Sequence, residues 1–125
     1  MTERFDGSVI WAGLHPDHQA EIGAVALELI SAWWVQEQAV DINDGGDPML
    51  RAAEAADHLL INELRQAVVD AVPMSDFNAA DGTPKMPSRL GPFCRKCGCT
   101  QEDGCREGCW WAEPDLCSSC ATEGP

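Results

Sequence analysis

The sequence predicts a mainly α-helical protein: an antiparallel helical hairpin followed by a C-terminal cysteine-rich module of the zinc-ribbon or zinc-knuckle kind. Three observations lead there. Apolar residues recur at three- and four-residue steps over two stretches of roughly 25 residues, the spacing of one helical face. Each stretch opens with a proline, which suits the first turn of a helix. All seven cysteines of the 125-residue chain fall after residue 92, at spacings that suit metal ligands.

The first helix is expected from Pro16 to Val40. His15-Pro16-Asp17 supplies its start, with a carboxylate in the first turn where the helix dipole favours it. Behind it Ile22, Val25, Ala26, Leu29, Ile30 and Trp33 share a face. The run Asp41-Ile42-Asn43-Asp44-Gly45-Gly46 breaks the pattern. Asp47-Pro48 repeats the start signal, with Asp47 as N-cap. Ala53, Leu60, Leu64, Val68 and Ala71, with Leu50, Ala56 and Ile61 beside them, carry a second helix to Val72, before Pro73. A short loop between two long helices implies an antiparallel pair. Ahead of it, Ser8-Val9-Ile10-Trp11 reads as a short strand or an arm laid on the hairpin. From Pro73 to Pro92 periodicity is lost, and Pro84, Pro87 and Pro92 point to a linker or extended strap. The expected organisation is an arm and acidic hairpin over 1–72, a strap over 73–92 and a metal module over 93–121.

Charge follows the same division. The chain has 8 Lys and Arg against 21 Asp and Glu, a net charge of −13. Residues 1–82 hold 15 acidic and 3 basic side chains, and residues 83–125 hold 6 and 5. Coating DNA or an anionic membrane needs clustered positive charge, so this balance argues against both. With 45% hydrophobic residues the chain is not compositionally disordered. Every apolar run is broken well before the ~18 residues of a membrane span. The start, Met1-Thr2-Glu3-Arg4-Phe5-Asp6, lacks the basic-then-apolar pattern of a secretory signal. A cytoplasmic setting is therefore expected, in which cysteines act as metal ligands rather than disulfides.

In the tail, Cys94, Cys97, Cys117 and Cys120 are spaced C-x2-C-x19-C-x2-C, the pattern of a four-thiolate zinc site. A C-x2-C turn aims two sulfurs at one point, and two such turns clamp one tetrahedral ion. Gly98, directly after Cys97, suits the tight turn of a knuckle. One structural zinc is expected on these four. Cys99, Cys105 and Cys109 leave several readings open: a second zinc, or one sharing a thiolate with the first; part of an iron–sulfur site; or reduced structural thiols, with a Cys105–Cys109 pair under oxidation.

The string Cys94-x2-Cys97-Gly98-Cys99-Thr100, then Cys105, Cys109, Trp111 and Glu113-Pro114-Asp115-Leu116-Cys117-Ser118-x-Cys120, resembles a cysteine-rich ending of small, mostly uncharacterised bacteriophage and prophage proteins. The resemblance covers about a quarter of the chain and includes all seven cysteines. It implies a phage or mobile-element origin, in a bacterial host cell, rather than a reaction.

Other constellations are weaker. Asp41-x-Asn43-x-Gly45-Gly46-Asp47 has the outline of a calcium loop, but its twelfth position is Ala52 rather than Glu. His15 and His18 read as solvated residues at a helix start. No Ser/His/Asp set, phosphate-binding glycine loop or paired buried carboxylates can be argued, so no enzymatic activity is expected. Trp33 and Trp34 are about 100° apart on a helix, so one of them faces away from the seam. It covers the arm or strap, or meets a partner protein or a second copy of the chain. The leading expectation is a phage accessory factor that engages a host protein, as an inhibitor or nucleic-acid mimic, through Trp33, Trp34, Glu28 and Glu37. One alternative is a zinc-ribbon DNA or RNA binder led by Arg95 and Lys96, opposed by the acidic first part. The other is a redox or iron–sulfur protein using the inner cysteines.

Overall fold

The computed structural model describes residues 3–42 and 48–121. In chain order they form β1 (Arg4–Phe5), α1 (Gly7–Ala12), α2 (Pro16–Ile42), α3 (Pro48–Ala71), a 3-10 turn (Met74–Phe77), β2 (Met86–Pro87), a second 3-10 turn (Ser88–Leu90), β3 (Trp111–Glu113), β4 (Leu116–Cys117) and α4 (Ser118–Ala121). Two compact units result. Residues 8–77 hold the hairpin, and residues 3–7 with 78–121 hold the cysteines. The Asp47 cap and the calcium-like loop from Asn43 lie outside the described residues.

In the helical unit, α2 and α3 pack as the hairpin the periodicity predicts. His15 caps α2: its Nδ1 accepts the Asp17 amide at 3.1 Å, and its carbonyl accepts the Gln19 amide at 3.0 Å. The first bond satisfies one of the amides a helix start leaves without partners, and the second is the helix's first i→i−4 bond. At the far end, Val72 still donates to the Val68 carbonyl at 2.8 Å before Pro73 ends α3.

The seam uses a narrower stripe than expected. Ile22, Val25, Leu29, Ala32 and Gln36 of α2 alternate steps of three and four, and so do Ala53, Asp57, Leu60, Leu64, Ala67 and Ala71 of α3; all are buried or half-buried. This is the 3.5-residue repeat of coiled-coil packing. Ile30 and Trp33, expected on the seam, are exposed instead. The reason lies in α2, which carries apolar residues on nearly every side, so several stripes fit its sequence and the partner helix selects one. Burial of Val25 and Leu29 contributes roughly 1.5–3 kcal/mol each. A polar layer interrupts the seam: Gln36 Nε2 donates to the Ala53 carbonyl at 3.4 Å and to Asp57 Oδ2 at 3.3 Å. Asp57 Oδ1 is buried and finds no hydrogen-bond partner among the described residues.

Two local expectations change. The segment Ser8–Trp11, read as a strand or arm, lies in the helix α1. Its end is tied to α2 by Gln19 Nε2, which donates to the Trp11 carbonyl at 2.7 Å. The stretch 73–92, read as irregular, holds two 3-10 turns, an Asn78–Pro84 bridge and β2. Strand β2 pairs in parallel with β1, Arg4 opposite Met86 and Phe5 opposite Pro87. Pro87 is tolerated because a two-stranded ribbon consists of edges only.

In the second unit β3 and β4 form an antiparallel hairpin, Trp111 opposite Cys117 and Glu113 opposite Leu116. Its buried centre is Cys94, Cys99, Leu116, Cys117 and Cys120, with Cys105, Cys109 and Trp111 packed against it. Sulfur thus takes the place of a hydrophobic core. Among the described residues no helix is long and apolar enough to cross a membrane.

Candidate metal centre

Two knuckles and a hairpin bring the seven cysteines together. In the first knuckle the Gly98 amide donates to the Cys94 carbonyl and the Cys94 amide to the Cys99 carbonyl, both at 2.9 Å. Gly98 sits at φ +80°, a left-handed conformation that other residues rarely adopt. The Lys96 amide points at Cys94 Sγ at 3.4 Å. The second knuckle is Cys105-Arg106-Glu107-Gly108-Cys109, which the C-x2-C pattern does not signal. Here Gly108 (φ +83°) donates to the Cys105 carbonyl at 2.8 Å, and the Cys105 amide points at Cys109 Sγ at 3.5 Å. Strand β4 then delivers Cys117, and α4 delivers Cys120. The Ser118 amide donates to the Trp110 carbonyl at 2.6 Å, and the Trp110 amide to Ser118 Oγ at 3.0 Å, locking the hairpin behind the sulfurs.

All seven cysteines are free thiols. The sulfurs of Cys97 and Cys117 lie 3.8 Å apart, those of Cys97 and Cys105 3.9 Å, those of Cys105 and Cys117 3.9 Å, and those of Cys99 and Cys109 3.8 Å. A disulfide needs about 2.05 Å. A tetrahedron of sulfurs around an ion at about 2.3 Å has edges of about 3.8 Å, so the spacing fits metal ligation. Two tetrads could hold an ion, Cys94, Cys97, Cys99 and Cys117, and Cys99, Cys105, Cys109 and Cys117, with the sulfurs of each within 4.8 Å of one another. Cys99 stands in the first tetrad where spacing alone puts Cys120. Cys120 is nonetheless buried in the same core cluster as Cys94, Cys99 and Cys117.

The electrostatics separate the sulfurs into two kinds. Backbone amides of Cys117, Cys97 and Lys96 are directed at Cys94 and lower its pKa to about 5. The Cys120 amide, directed at Cys117, lowers that thiol as well. A hydrogen bond with Cys109, together with burial, pushes Cys105 up to about 12. Burial is the main cause that raises Cys99 and Cys120. A metal ion bound at either tetrad would let the raised thiols ionise as well, since metal binding displaces thiol protons.

The other proposed contacts disperse. Arg95, a candidate for nucleic acid, is engaged within its own module: its amide donates to the Asp115 carbonyl at 2.8 Å, and its guanidinium pairs with Asp115 and with Glu113 at 3.7 Å. Lys96 is exposed. On α2, Trp33 and Trp34 are both exposed, as are Glu28 and Glu37. These four do not make one face. Glu28 lines a shallow groove with Ser31, Val35, Met49 and Ala52 beside the seam, whereas Trp34 lies on the far side of α2 with Leu27 and Ile30. Leu27 is 74% exposed, Trp34 61% and Ile30 56%. The steps from 27 to 30 and 34 gave the signal for this second stripe, which the search for a single amphipathic face passes over. Comparison with protein-family models, with curated proteins and with solved structures finds no match to the chain.

Proposed function

We propose that the chain is a non-catalytic binding protein: zinc holds the cysteine module together, and the acidic helical unit engages a partner protein through the outer face of α2. The observation that carries this reading is the exposed stripe Leu27, Ile30 and Trp34, on the side of α2 that α3 leaves uncovered. Glu37 stands about one turn beyond Trp34, and residues 1–82 are strongly acidic. An aromatic anchor within negative charge suits a basic protein surface, of the kind nucleic-acid-handling proteins carry. A second copy of the chain suits it less, because each copy repeats a net charge of −13. The phage-type tail supports a bacterial host as the setting and an inhibitor or nucleic-acid mimic as the role. Zinc is the ion favoured by an all-thiolate, tetrahedral donor set without an open position.

The test is capture from bacterial extract on the immobilised full chain, followed by titration of the purified captured protein. Trp34→Ala should weaken binding about tenfold or more, and added salt or Glu37→Lys should weaken it further. Binding indifferent to all three rejects the reading. So does sedimentation showing a dimer that Leu27→Glu dissociates, which assigns the stripe to self-association.

A further inference from the structure

We propose that the seven cysteines form one binuclear cluster, in which two divalent ions of the zinc type share the sulfur of Cys117. This rests on the metal-binding reading of the tail and adds its stoichiometry and connectivity. Two tetrahedral ions offer eight coordination positions. Seven thiolates fill all eight when one sulfur serves both ions, so the odd cysteine count becomes a requirement rather than a remainder.

Cys117 is the sulfur so placed. It belongs to both tetrads and is 1% exposed. It lies 3.8 Å from Cys97 Sγ on one side and 3.9 Å from Cys105 Sγ on the other. Those two sulfurs are themselves 3.9 Å apart, so the contacts run three ways rather than in disulfide-like pairs. One ion takes Cys94, Cys97 and Cys120 with Cys117, the set of the two C-x2-C pairs; the structure brings Cys99 within 4.8 Å of Cys94, Cys97 and Cys117, and the buried Cys120 takes that place once Cys99 serves the second ion. The second takes Cys99, Cys105 and Cys109 with Cys117, a set the structure already gathers within 4.8 Å. Each half has its own geometric support. In the first half the Lys96 amide points at Cys94 Sγ at 3.4 Å, as in a C-x2-C knuckle, and Cys97 Sγ meets Cys117 Sγ at 3.8 Å. Cys99 and Cys109 meet at 3.8 Å, and the Cys105 amide points at Cys109.

A rival connectivity uses six thiolates, with Cys99 and Cys117 both bridging, because Cys99 also belongs to both tetrads. It leaves Cys120 spare. Cys120 is a poor spare, being buried in the same core cluster as Cys94 and Cys117 and completing the second C-x2-C pair. In the seven-thiolate cluster the two ions depend on each other through one atom, so loading is cooperative and a half-filled cluster is scarce.

The experiment is loading of the full chain with 113Cd under anaerobic, reducing conditions. Elemental analysis should give two metals per chain, and all seven thiols should resist alkylation until a chelator is added. The 113Cd spectrum should contain two resonances of four-sulfur coordination, each split by the other through the shared sulfur. Cys120→Ser should move one resonance to a mixed sulfur–oxygen position and leave the other in place. Two resonances without mutual splitting overturn the bridge. An unchanged pair in Cys120→Ser overturns the seven-thiolate connectivity, and if that variant does not fold, the splitting in the unmodified chain still decides the bridge. One metal per chain, with Cys99, Cys105 and Cys109 alkylated, overturns the cluster but leaves the single-ion tail standing. No bound metal overturns both.

Discussion

Gly98 is where one backbone angle bears on the metal. Its φ of +80° lets the chain turn between Cys97 and Cys99, so that the Cys94 amide reaches the Cys99 carbonyl. An added Cβ would meet nothing within 4 Å, so a substitution there acts through backbone strain alone. For an L-residue that strain is about 1–2 kcal/mol. Because metal binding is folding free energy in so small a module, the strain appears as lost affinity. Gly98→Ala should therefore weaken metal binding about tenfold, measured by competition with a chromophoric chelator, while the helical circular dichroism is unchanged. Gly98 was legible in the sequence because it directly follows a C-x2-C pair. Gly108 was not, although it does the same work at φ +83°, because the C-x3-C spacing around it matches no common knuckle. Spacing also names pairs of ligands, not the sulfurs that two pairs share. The double membership of Cys99 and Cys117 emerges only once β4 folds back onto both knuckles.

At the scale of elements, the long helices were legible and the short ones were not, for one physical reason. Periodicity needs several turns to register, and α2 and α3 supply them together with proline starts. The six residues of α1 do not. The two-residue strands β1 and β2, paired across the whole hairpin, leave no pattern at all. The polar layer in the α2–α3 seam tests how the hairpin is held. Asp57 occupies a seam position with one carboxylate oxygen buried and unmatched, a cost that the long bond from Gln36 offsets only in part. Asp57→Leu should raise stability by about 1 kcal/mol, seen as a higher thermal midpoint of the helical signal. Gln36→Ala should lower it by about 1–3 kcal/mol, since Asp57 then loses the bond it receives across the seam. If Asp57→Leu also broadens the transition, the layer selects the register of the two helices, as single polar residues do in coiled coils.

At the scale of the whole molecule, the cysteine unit is built from both ends of the chain. The chain leaves it at Gly7 and returns at Asn78. Beside the β1–β2 pairing, three side-chain contacts among those of the described residues hold the N-terminal piece there: Glu3 Oε2 accepts the Ala80 amide at 2.9 Å, Arg4 Nη1 donates to the Pro87 carbonyl at 3.4 Å, and the Arg4 guanidinium lies 4.9 Å from the centre of the Phe93 ring. Phe93 bridges to Thr100, so Arg4 bears on the bridged pair that flanks Cys94 and Cys99. An arginine about ninety positions from the first cysteine in sequence thus belongs to the metal module's support. A cation over an aromatic face at a partly exposed site contributes about 0.5–1 kcal/mol. Arg4→Ala should accordingly weaken metal binding two- to fivefold, to within about a factor of two. It should leave the thermal unfolding of the helical hairpin where it was, because none of the three contacts touches residues 8–77. The opposite pattern, a shifted helix melt with unchanged metal affinity, would mean that the N-terminal strand serves the hairpin instead.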